Sequence, residues 1–318
     1  MKILILTKMK PGDDVIKEMQ GIAPNAEIVQ AEDWLSAKAD IAEAEIVITT
    51  RDAFPAAAVK EAKNLKWVHS LMVGVESFLY PDFTQRGIIL TNPRGAADVG
   101  VSEHVFAMIL AWTRGMNSSI LSQKKRAWER VPVTHLKGKT MGIIGLGSIG
   151  KEIARKAKHA FKMSVVATKR NPSQEENVDQ LFSSDQMEEM LKVSDFVVVC
   201  AAMTDETRGL VNEVAFRSMK PEAFFVNIAR GAIVDEAALI EALQNGWISG
   251  AGLDVFETEP LPEESPLWGM ENVIISPHIA GLSGKSLADL RIGVFNENLK
   301  AYLQGMKLPT EVDKKVGY

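Results

Sequence analysis

Short apolar runs alternate with amphipathic segments along most of the chain. The early runs cover residues 3–6, 46–49, 67–70 and 88–91, and the later ones cover 141–144, 164–167, 196–200, 224–228, 250–255 and 273–276. Runs of this length that are separated by helical segments are typical of buried strands. Because parallel strands need long crossovers, which are usually helices, the pattern predicts an α/β fold with doubly wound parallel sheets.

The strand count indicates two domains. Six predicted strands lie between residues 141 and 276, which is the number in a complete doubly wound dinucleotide-binding sheet. The four earlier strands must then belong to a separate unit. Turn-rich stretches at 92–95 and 277–284 mark the breaks. We therefore expect one domain at 98–283, inserted into a second domain formed by 1–97 and 284–318.

Two long helices are predicted at these breaks. Asp98 is a suitable cap for a helix from 99 to about 117, which carries apolar residues at helical spacing. A closing helix from about 285 to 303 follows the second break, with Leu290 and Leu299 on its expected apolar face. The stretch between 171 and 179 is polar and is expected to form a surface loop.

A glycine-rich turn follows the strand at 141–144. The sequence Gly145-Leu146-Gly147-Ser148-Ile149-Gly150 passes directly into a helical segment. In a dinucleotide site the first glycine permits the tight turn, the second lets the backbone approach the pyrophosphate, and the third allows close packing of helix on strand. The helix N-terminus favours the phosphates. The alternative is an ordinary turn, but the strand before and the helix after it favour nucleotide binding.

The end of the next strand bears on the choice of cofactor. Folds that bind NAD usually place an acidic residue about 20 positions after the glycines, where it accepts the ribose hydroxyls. Here the strand ends in Thr168-Lys169-Arg170 with no carboxylate. Lysine and arginine attract a 2′-phosphate, and a threonine hydroxyl adds a donor. The sequence therefore predicts NADPH, with NAD as the less favoured cofactor; the alternative is a pair of solvated charges.

Composition excludes several classes of function. A net charge of −5 and a pI near 5.7 give no basic surface for nucleic acid. The apolar start is too short for a signal peptide, and no run reaches the length of a membrane span. Cys200 is the only cysteine and lies in an apolar run, so we expect a core residue in a reducing compartment, the cytoplasm.

Polar residues at the ends of three later strands suggest proton and anion chemistry. Arg230 follows one strand, Asp254 and Glu259 follow the next, and His278 follows the third. A guanidinium clamps a carboxylate and polarises a carbonyl, and a histidine beside a carboxylate exchanges a proton. The other histidines lie in predicted helices, in a linker or at an early strand end, so only His278 stands on such a turn. These groups are what reduction of a 2-oxo acid requires.

Over nearly its whole length the chain resembles the D-isomer-specific 2-hydroxyacid dehydrogenase family. The matching motifs are the glycine loop, 227–231 with 234–236, 253–256 with 259–260, and Ser276-Pro277-His278, in the family's order and spacing. The resemblance implies a Rossmann dinucleotide domain inserted into a flavodoxin-like substrate domain. It implies that Arg230 binds the substrate, that His278 is the acid/base and that Glu259 pairs with His278.

Further contacts are implied by the same resemblance. Asp254 would hold the nicotinamide carboxamide, and Thr207 and Ala229 would lie beside the cofactor. The backbone N–H groups of Val73 and Gly74 would receive the substrate carboxylate, with His278 and Arg230 at the same substrate. The chain departs from the family at Glu76, where Asp is usual, and at Ala202, where Pro is common, which leaves the shape of these loops open.

The resulting hypothesis is NADPH-dependent reduction of a small 2-oxo acid, such as glyoxylate or hydroxypyruvate, to the D-2-hydroxy acid by a homodimer. No metal is expected. Formate dehydrogenases are discounted because they carry Gln where Glu259 stands, and phosphite dehydrogenases because they carry Lys where Val73 stands. The alternative is a cofactor-sensing binding protein of the corepressor type, which we expect to carry a partner-binding tail that this sequence lacks.

Overall fold

The structure, a computed structural model, describes residues 1–170, 173–282 and 287–315. Contacts within the chain divide it into two compact units. The first unit comprises Met1–Ala97 together with the described residues from 287 onward, and the second comprises Asp98–Leu282. The expected second boundary, between 283 and 284, lies outside the described residues.

Helices and strands alternate in both units. The elements before residue 98 are β1 (Lys2–Leu6), α1 (Asp13–Ile22), β2 (Glu27–Ala31), α2 (Lys38–Glu43), β3 (Ile46–Thr49), α3 (Ala56–Glu61), β4 (Trp67–Ser70), α4 (Pro81–Thr84) and β5 (Ile89–Thr91). The next elements are α5 (Asp98–Thr113), α6 (Met116–Lys124), β6 (Thr140–Ile144), α7 (Ser148–His159), β7 (Ser164–Thr168), β8 (Gln180–Phe182) and α8 (Met187–Val193). They are followed by β9 (Phe196–Val199), α9 (Glu213–Ser218), β10 (Phe224–Asn227), α10 (Glu236–Gln244), β11 (Gly250–Leu253), β12 (Val273–Ile275) and α11 (Leu287–Leu303).

The first unit is built on a five-stranded parallel sheet in the order β2-β1-β3-β4-β5. This is the flavodoxin-like order that the resemblance implied. Its central strands are fully buried, and apolar clusters cover both faces of the sheet. On one face α11 packs Ile292, Phe295 and Leu299, and the ring of Phe295 stacks on Trp67 at 4.8 Å between centroids.

The second unit is built on a seven-stranded parallel sheet in the order β12-β11-β10-β9-β6-β7-β8. The order reverses between β6 and β9, which is the switch point where ligands bind in such sheets. Strands β6, β9 and β10 carry almost only buried residues, and α5 packs its Val101, Val105 and Met108 inward. The predicted fold class is therefore confirmed.

Two strands were not predicted from the sequence. β2 and β8 each lie at the edge of a sheet; β2 has only exposed and half-buried positions, and β8 has a single buried one. An edge strand pairs on one side only and needs no continuous apolar run, which explains why the pattern missed both. The described sheet of the second unit consequently has seven strands, whereas six were expected.

Both long helices also differ from their predicted bounds. The helix expected over 99–117 ends at Thr113, because Gly115 takes a φ of 63° and begins α6 in a new direction. The first residues of the predicted closing helix lie outside the described part, which starts at Leu287. Leu290 is 46% exposed, so its predicted place on the buried face of α11 was wrong, whereas Leu299 is buried together with Ile292 and Phe295.

Candidate active site

The glycine loop lies at the carboxyl end of β6, where α7 begins. Gly145 has a φ of 91°, and a Cβ built there would lie 2.6 Å from the Cα of Ala201. A Cβ on Gly150 would lie 2.7 Å from the carbonyl oxygen of Gly145, so helix and strand are in close contact. A Cβ on Gly147 would meet no atom within 4 Å. Gly147 therefore offers its backbone to open space at the N-terminus of a long helix, which fits a pyrophosphate.

The remaining loop residues are divided between core and helix. Leu146 is buried and Ile149 is half-buried in the first turn of α7. Ser148 is the first residue of α7, and its hydroxyl donates to the Asp98 carboxylate at 3.2 Å. The predicted helix cap Asp98 thus contacts the predicted cofactor loop, a relation that spacing alone did not indicate.

The end of β7 carries both cations and carboxylates. Thr168 is buried, and its hydroxyl accepts the N–H of Gly145 at 3.3 Å. Lys169 forms an ion pair with Glu175, whose other oxygen lies 2.8 Å from the Nζ of Lys151. The two lysines, Lys151 first, hold the pKa of the Glu175 carboxyl below its usual value.

Arg170 also has a carboxylate neighbour. Its Nη2 lies 2.6 Å from Glu206, which is three-quarters exposed. Glu175 follows Lys169 by six positions and Glu206 follows Arg170 by 36, so neither lies at the strand end where a carboxylate was looked for. Lys151, Lys169 and Arg170 still outnumber these two carboxylates by one positive charge.

Three adjacent strands deliver the candidate catalytic residues to one edge of the sheet. Asn227, Leu253 and Ile275 are in register on β10, β11 and β12. Arg230 follows the first strand by three residues, Asp254 follows the second directly, and His278 follows the third by three. The carboxyl ends of parallel strands are where such sheets bind ligands.

His278 and Glu259 form a hydrogen-bonded pair. The Nδ1 of His278 lies 2.7 Å from Oε2 of Glu259, and Oε1 of Glu259 accepts the N–H of Phe256 at 3.1 Å. The imidazole is about half exposed. A carboxylate that accepts from Nδ1–H orients the ring and leaves Nε2 to give or take a proton. This is the arrangement expected of a general acid.

Asp254 holds the segment that carries this histidine. Its side chain is 1% exposed and accepts the Ser276 hydroxyl and the N–H groups of Ile279 and Ala280, the latter two at 2.9 Å. The family resemblance implied that Asp254 contacts the nicotinamide, but the sequence did not indicate that it anchors the segment around His278. Ser276 was noticed only as part of a motif.

His104 on α5 belongs to the same network. Its Nε2 lies 2.8 Å from the hydroxyl of Ser276 and 3.6 Å from Asp254. The sequence placed it correctly inside a helix, where a lone histidine gives no sign of a role. The signal that could have found it was its place on the inward face of α5, beside Val105 and Met108.

Arg230 lies in a strand-to-turn connection fixed by Asn227. The side chain of Asn227 accepts the N–H of Ala229 and donates to the carbonyl oxygen of Arg230, both at 3.1 Å. The half-buried guanidinium donates to the carbonyl oxygen of Ala229 at 2.7 Å. A Cβ on Gly231 would lie 1.9 Å from the backbone of Phe256, so only glycine fits there.

Thr207 stabilises its own turn. Its hydroxyl donates to the carbonyl oxygen of Ala202 at 2.7 Å and accepts the N–H of Thr204 at 2.8 Å. Burial, and then the nearby charge of Asp98, raise the pKa of the Cys200 thiol, which disfavours the nucleophilic thiolate.

The candidate substrate loop of the first unit is held from both ends. The hydroxyl of Ser70 accepts the N–H of Met72 at 3.0 Å, and the side chain of Asn92 donates to the carbonyl oxygen of Val73 at 2.7 Å. Within the described ranges, the N–H groups of Val73 and Gly74 meet no acceptor. They are therefore available to an anion.

Two properties of the described residues bear on other classes of function. No group of three or more histidine, cysteine, aspartate or glutamate side chains there is arranged to hold a metal ion. No helix in that part of the chain has the length and apolar character to cross a membrane.

Comparisons of the sequence and of the fold with known proteins point to the same family. The sequence model described as "D-isomer specific 2-hydroxyacid dehydrogenase, NAD binding domain" matches residues 106–280. A glyoxylate reductase from Pyrococcus furiosus is 36% identical over 266 residues, covering 81% of this chain and 78% of that one.

Two solved structures extend the likeness to almost the full length. A D-isomer specific 2-hydroxyacid dehydrogenase family protein from Aeromonas salmonicida superposes with a TM-score of 0.85 and 32% identity, covering 98% and 99% of the two chains. An NADPH-dependent glyoxylate/hydroxypyruvate reductase from Sinorhizobium meliloti, in complex with NADP and sulfate, superposes with a TM-score of 0.84 and 27% identity, covering 100% and 99%.

Proposed function

The chain belongs to the D-isomer specific 2-hydroxyacid dehydrogenase family, and we propose that it reduces a small 2-oxo acid to the D-2-hydroxy acid with NADPH. The observation that carries the proposal is the His278–Glu259 pair at the end of β12, on the sheet that also bears the glycine loop. When bound, the nicotinamide supplies a hydride to the carbonyl carbon. Glyoxylate and hydroxypyruvate are the leading substrates, because relatives are named for them.

The proton and the anion are handled by separate groups. His278 gives the proton at Nε2 to the carbonyl oxygen, and Glu259 stabilises the ring through Nδ1. Arg230 binds the substrate carboxylate and polarises the carbonyl, and the N–H groups of Val73 and Gly74 receive the same carboxylate. Asp254 holds the histidine segment and contacts the carboxamide of the nicotinamide.

The cofactor is assigned to the unit at 98–282 and the substrate loop to the other unit. Gly145, Gly147 and Gly150 shape the pyrophosphate site with the first turn of α7. Thr207 and Ala229 lie at the cofactor, as the family resemblance implies. Lys169 and Arg170 take the 2′-phosphate together with the hydroxyl of Thr168, and NADH is used less well. The excess of cations over carboxylates around β7 supports this preference.

The same proposal makes the protein a cytoplasmic homodimer. Support for self-association comes from the second unit, where Met116 and Ile120 of α6 are about half exposed and Trp128 is 95% exposed. Exposed apolar side chains of this size are typical of a protein interface. Sedimentation of wild type and of Trp128→Ser tests it; a wild-type monomer at micromolar concentration would contradict the dimer.

Turnover of a panel of 2-oxo acids with NADPH and NADH tests the reaction. We expect reduction of glyoxylate or hydroxypyruvate, and a loss of about 10²–10⁴-fold in kcat for His278→Asn, since a general acid contributes a factor of that size. A near-normal kcat in this variant would refute the role of His278. Cofactor binding without turnover of any acid would instead indicate a cofactor sensor.

A further inference from the structure

Arg291 on α11 is a buried cation without an anionic partner in the described part of the chain. The residue is 7% exposed, and its Nη1 contacts the sulfur atoms of Met72 at 3.5 Å and Met9 at 3.9 Å. Thioether sulfur is a weak acceptor. Burial lowers the pKa of the guanidinium, yet arginine keeps its charge in proteins. The charge is therefore desolvated and poorly compensated.

A second arginine of the same unit shows what compensation looks like. Arg86 is an exposed residue whose guanidinium donates to the carbonyl oxygens of Val59 and Ala62, at the end of α3. Those two bonds tie its guanidinium to the backbone and explain its position structurally. Arg291 has no such bonds among the described residues, so a structural role does not account for it.

The position of Arg291 links it to the candidate substrate loop. Met72, which it touches, immediately precedes Val73 and is itself 44% exposed. The loop is fixed by Ser70 and Asn92, so Met72 has a defined place. Met72 therefore connects the Arg291 guanidinium to the loop whose N–H groups at Val73 and Gly74 are available to an anion.

We propose that Arg291 binds a second anionic group of the substrate, so that a short 2-oxo dicarboxylic acid is preferred over the neutral 2-oxo acid of matching length. This proposal rests on the proposed reduction of 2-oxo acids. A guanidinium pairs with a carboxylate through two parallel hydrogen bonds, and the apolar surroundings strengthen that pairing. A substrate with a neutral side chain leaves the buried charge without a partner.

Matched pairs of substrates test the preference. Oxaloacetate is compared with 2-oxobutyrate, and 2-oxoglutarate with 2-oxopentanoate, so that each pair differs in charge at nearly constant length. We expect kcat/KM to be at least about ten-fold higher for the dicarboxylate of one pair, because a charged hydrogen bond contributes that much. A wild-type preference for the neutral acid in both pairs overturns the proposal.

Two substitutions separate binding from structure. Arg291→Met keeps length and removes the charge, so it should abolish the preference while the Tm holds or rises. Arg86→Met should lower the Tm and leave the preference intact. Met72→Glu places a carboxylate beside Arg291, so it should also abolish the preference and raise the Tm. An unchanged preference in Arg291→Met refutes the assignment.

A binding measurement distinguishes this proposal from the reaction itself. Succinate is titrated calorimetrically into the full-length protein saturated with NADPH. If no 2-oxo acid is reduced, the proposed reaction fails, and the anion site is judged by this titration alone. Succinate binding that is lost in both Arg291→Met and Met72→Glu supports the site, and absence of binding to wild type overturns it.

Discussion

His278 donates its backbone N–H to the carbonyl oxygen of Asp254 at 2.8 Å. This bond joins the turn after β12, which carries His278, to the end of β11, where Asp254 lies. The histidine sits at a φ of 53°, a conformation that side-chain-bearing residues seldom adopt. The carboxylate of Asp254 accepts the next two N–H groups and the hydroxyl of Ser276. Asp254 therefore fixes the backbone of His278, and Glu259 fixes the imidazole ring through Nδ1.

Removing the hydroxyl of Ser276 should loosen this support. In Ser276→Ala the bonds to Asp254 and His104 are lost, and we expect kcat to fall by about 10- to 100-fold with a smaller change in KM. Ser276→Thr should restore most of the loss. Ser265→Ala is the control, because the Ser265 hydroxyl is buried without a partner in the described residues. Equal effects of the two alanine variants would mean that Ser276 only packs.

Charge around β7 should set the cofactor preference. Replacing Lys169 or Arg170 by Ala should lower kcat/KM for NADPH by about 10- to 100-fold, the size of one hydrogen bond to a charged group. Activity with NADH should change little. Glu206→Gln removes the carboxylate that lies 2.6 Å from Arg170 and should raise the ratio of NADPH to NADH activity. If the ratio of NADPH to NADH activity is the same in all three variants as in wild type, the 2′-phosphate is bound elsewhere.

Two glycines of the same loop should respond differently to a methyl group. Gly147→Ala projects its Cβ into open space, so the Tm should hold while the Kd for NADPH rises at least about ten-fold, from a clash with the ligand. Gly150→Ala meets the carbonyl oxygen of Gly145 and should lose about 1–3 kcal/mol of stability. Calorimetry and thermal melts measure both. Unchanged NADPH affinity in Gly147→Ala would argue against pyrophosphate binding at this loop.

His69 should make the stability of the first unit depend on pH. It is fully buried, and burial lowers its pKa from 6.5 to about 3. The unfolded chain then binds more protons between those values, so stability falls as the pH drops below about 6.5, by up to about 1.4 kcal/mol per pH unit.

His69→Gln removes this titration and should flatten the acid side of the stability profile. Its bond partner, the hydroxyl of Thr91, lies 2.7 Å from the ring and remains available to the amide. Urea unfolding at several pH values, followed by circular dichroism, measures the effect. The exposed His135→Gln is the control, and an equal change in that variant would assign the slope to another cause.

The sequence predicted the features that repeat or stay local. Central strands are continuous apolar runs, so their positions and both sheets were predictable, whereas the half-exposed β2 and β8 were not. The glycine loop and the order of Arg230, Glu259 and His278 were recognisable from local motifs.

Contacts made across long stretches of chain were not predictable. Glu206 reaches Arg170 across 36 positions, and His104 reaches Ser276 across 172. No periodicity encodes such pairs, because the fold decides them. The partner-free state of Arg291 among described residues is of the same kind, since it depends on which side chains α11 meets.

The strand order of the second unit has a consequence for how the protein can diverge. Residues assigned to the cofactor's phosphates lie around β6 and β7, and those assigned to proton transfer lie after β11 and β12, with β9 and β10 between them. Two groups of residues that are separated by intervening strands and share no partners tolerate substitution independently. Exchange of NADPH for NADH and exchange of one acid for another are thus separable evolutionary steps, open to laboratory selection in either order.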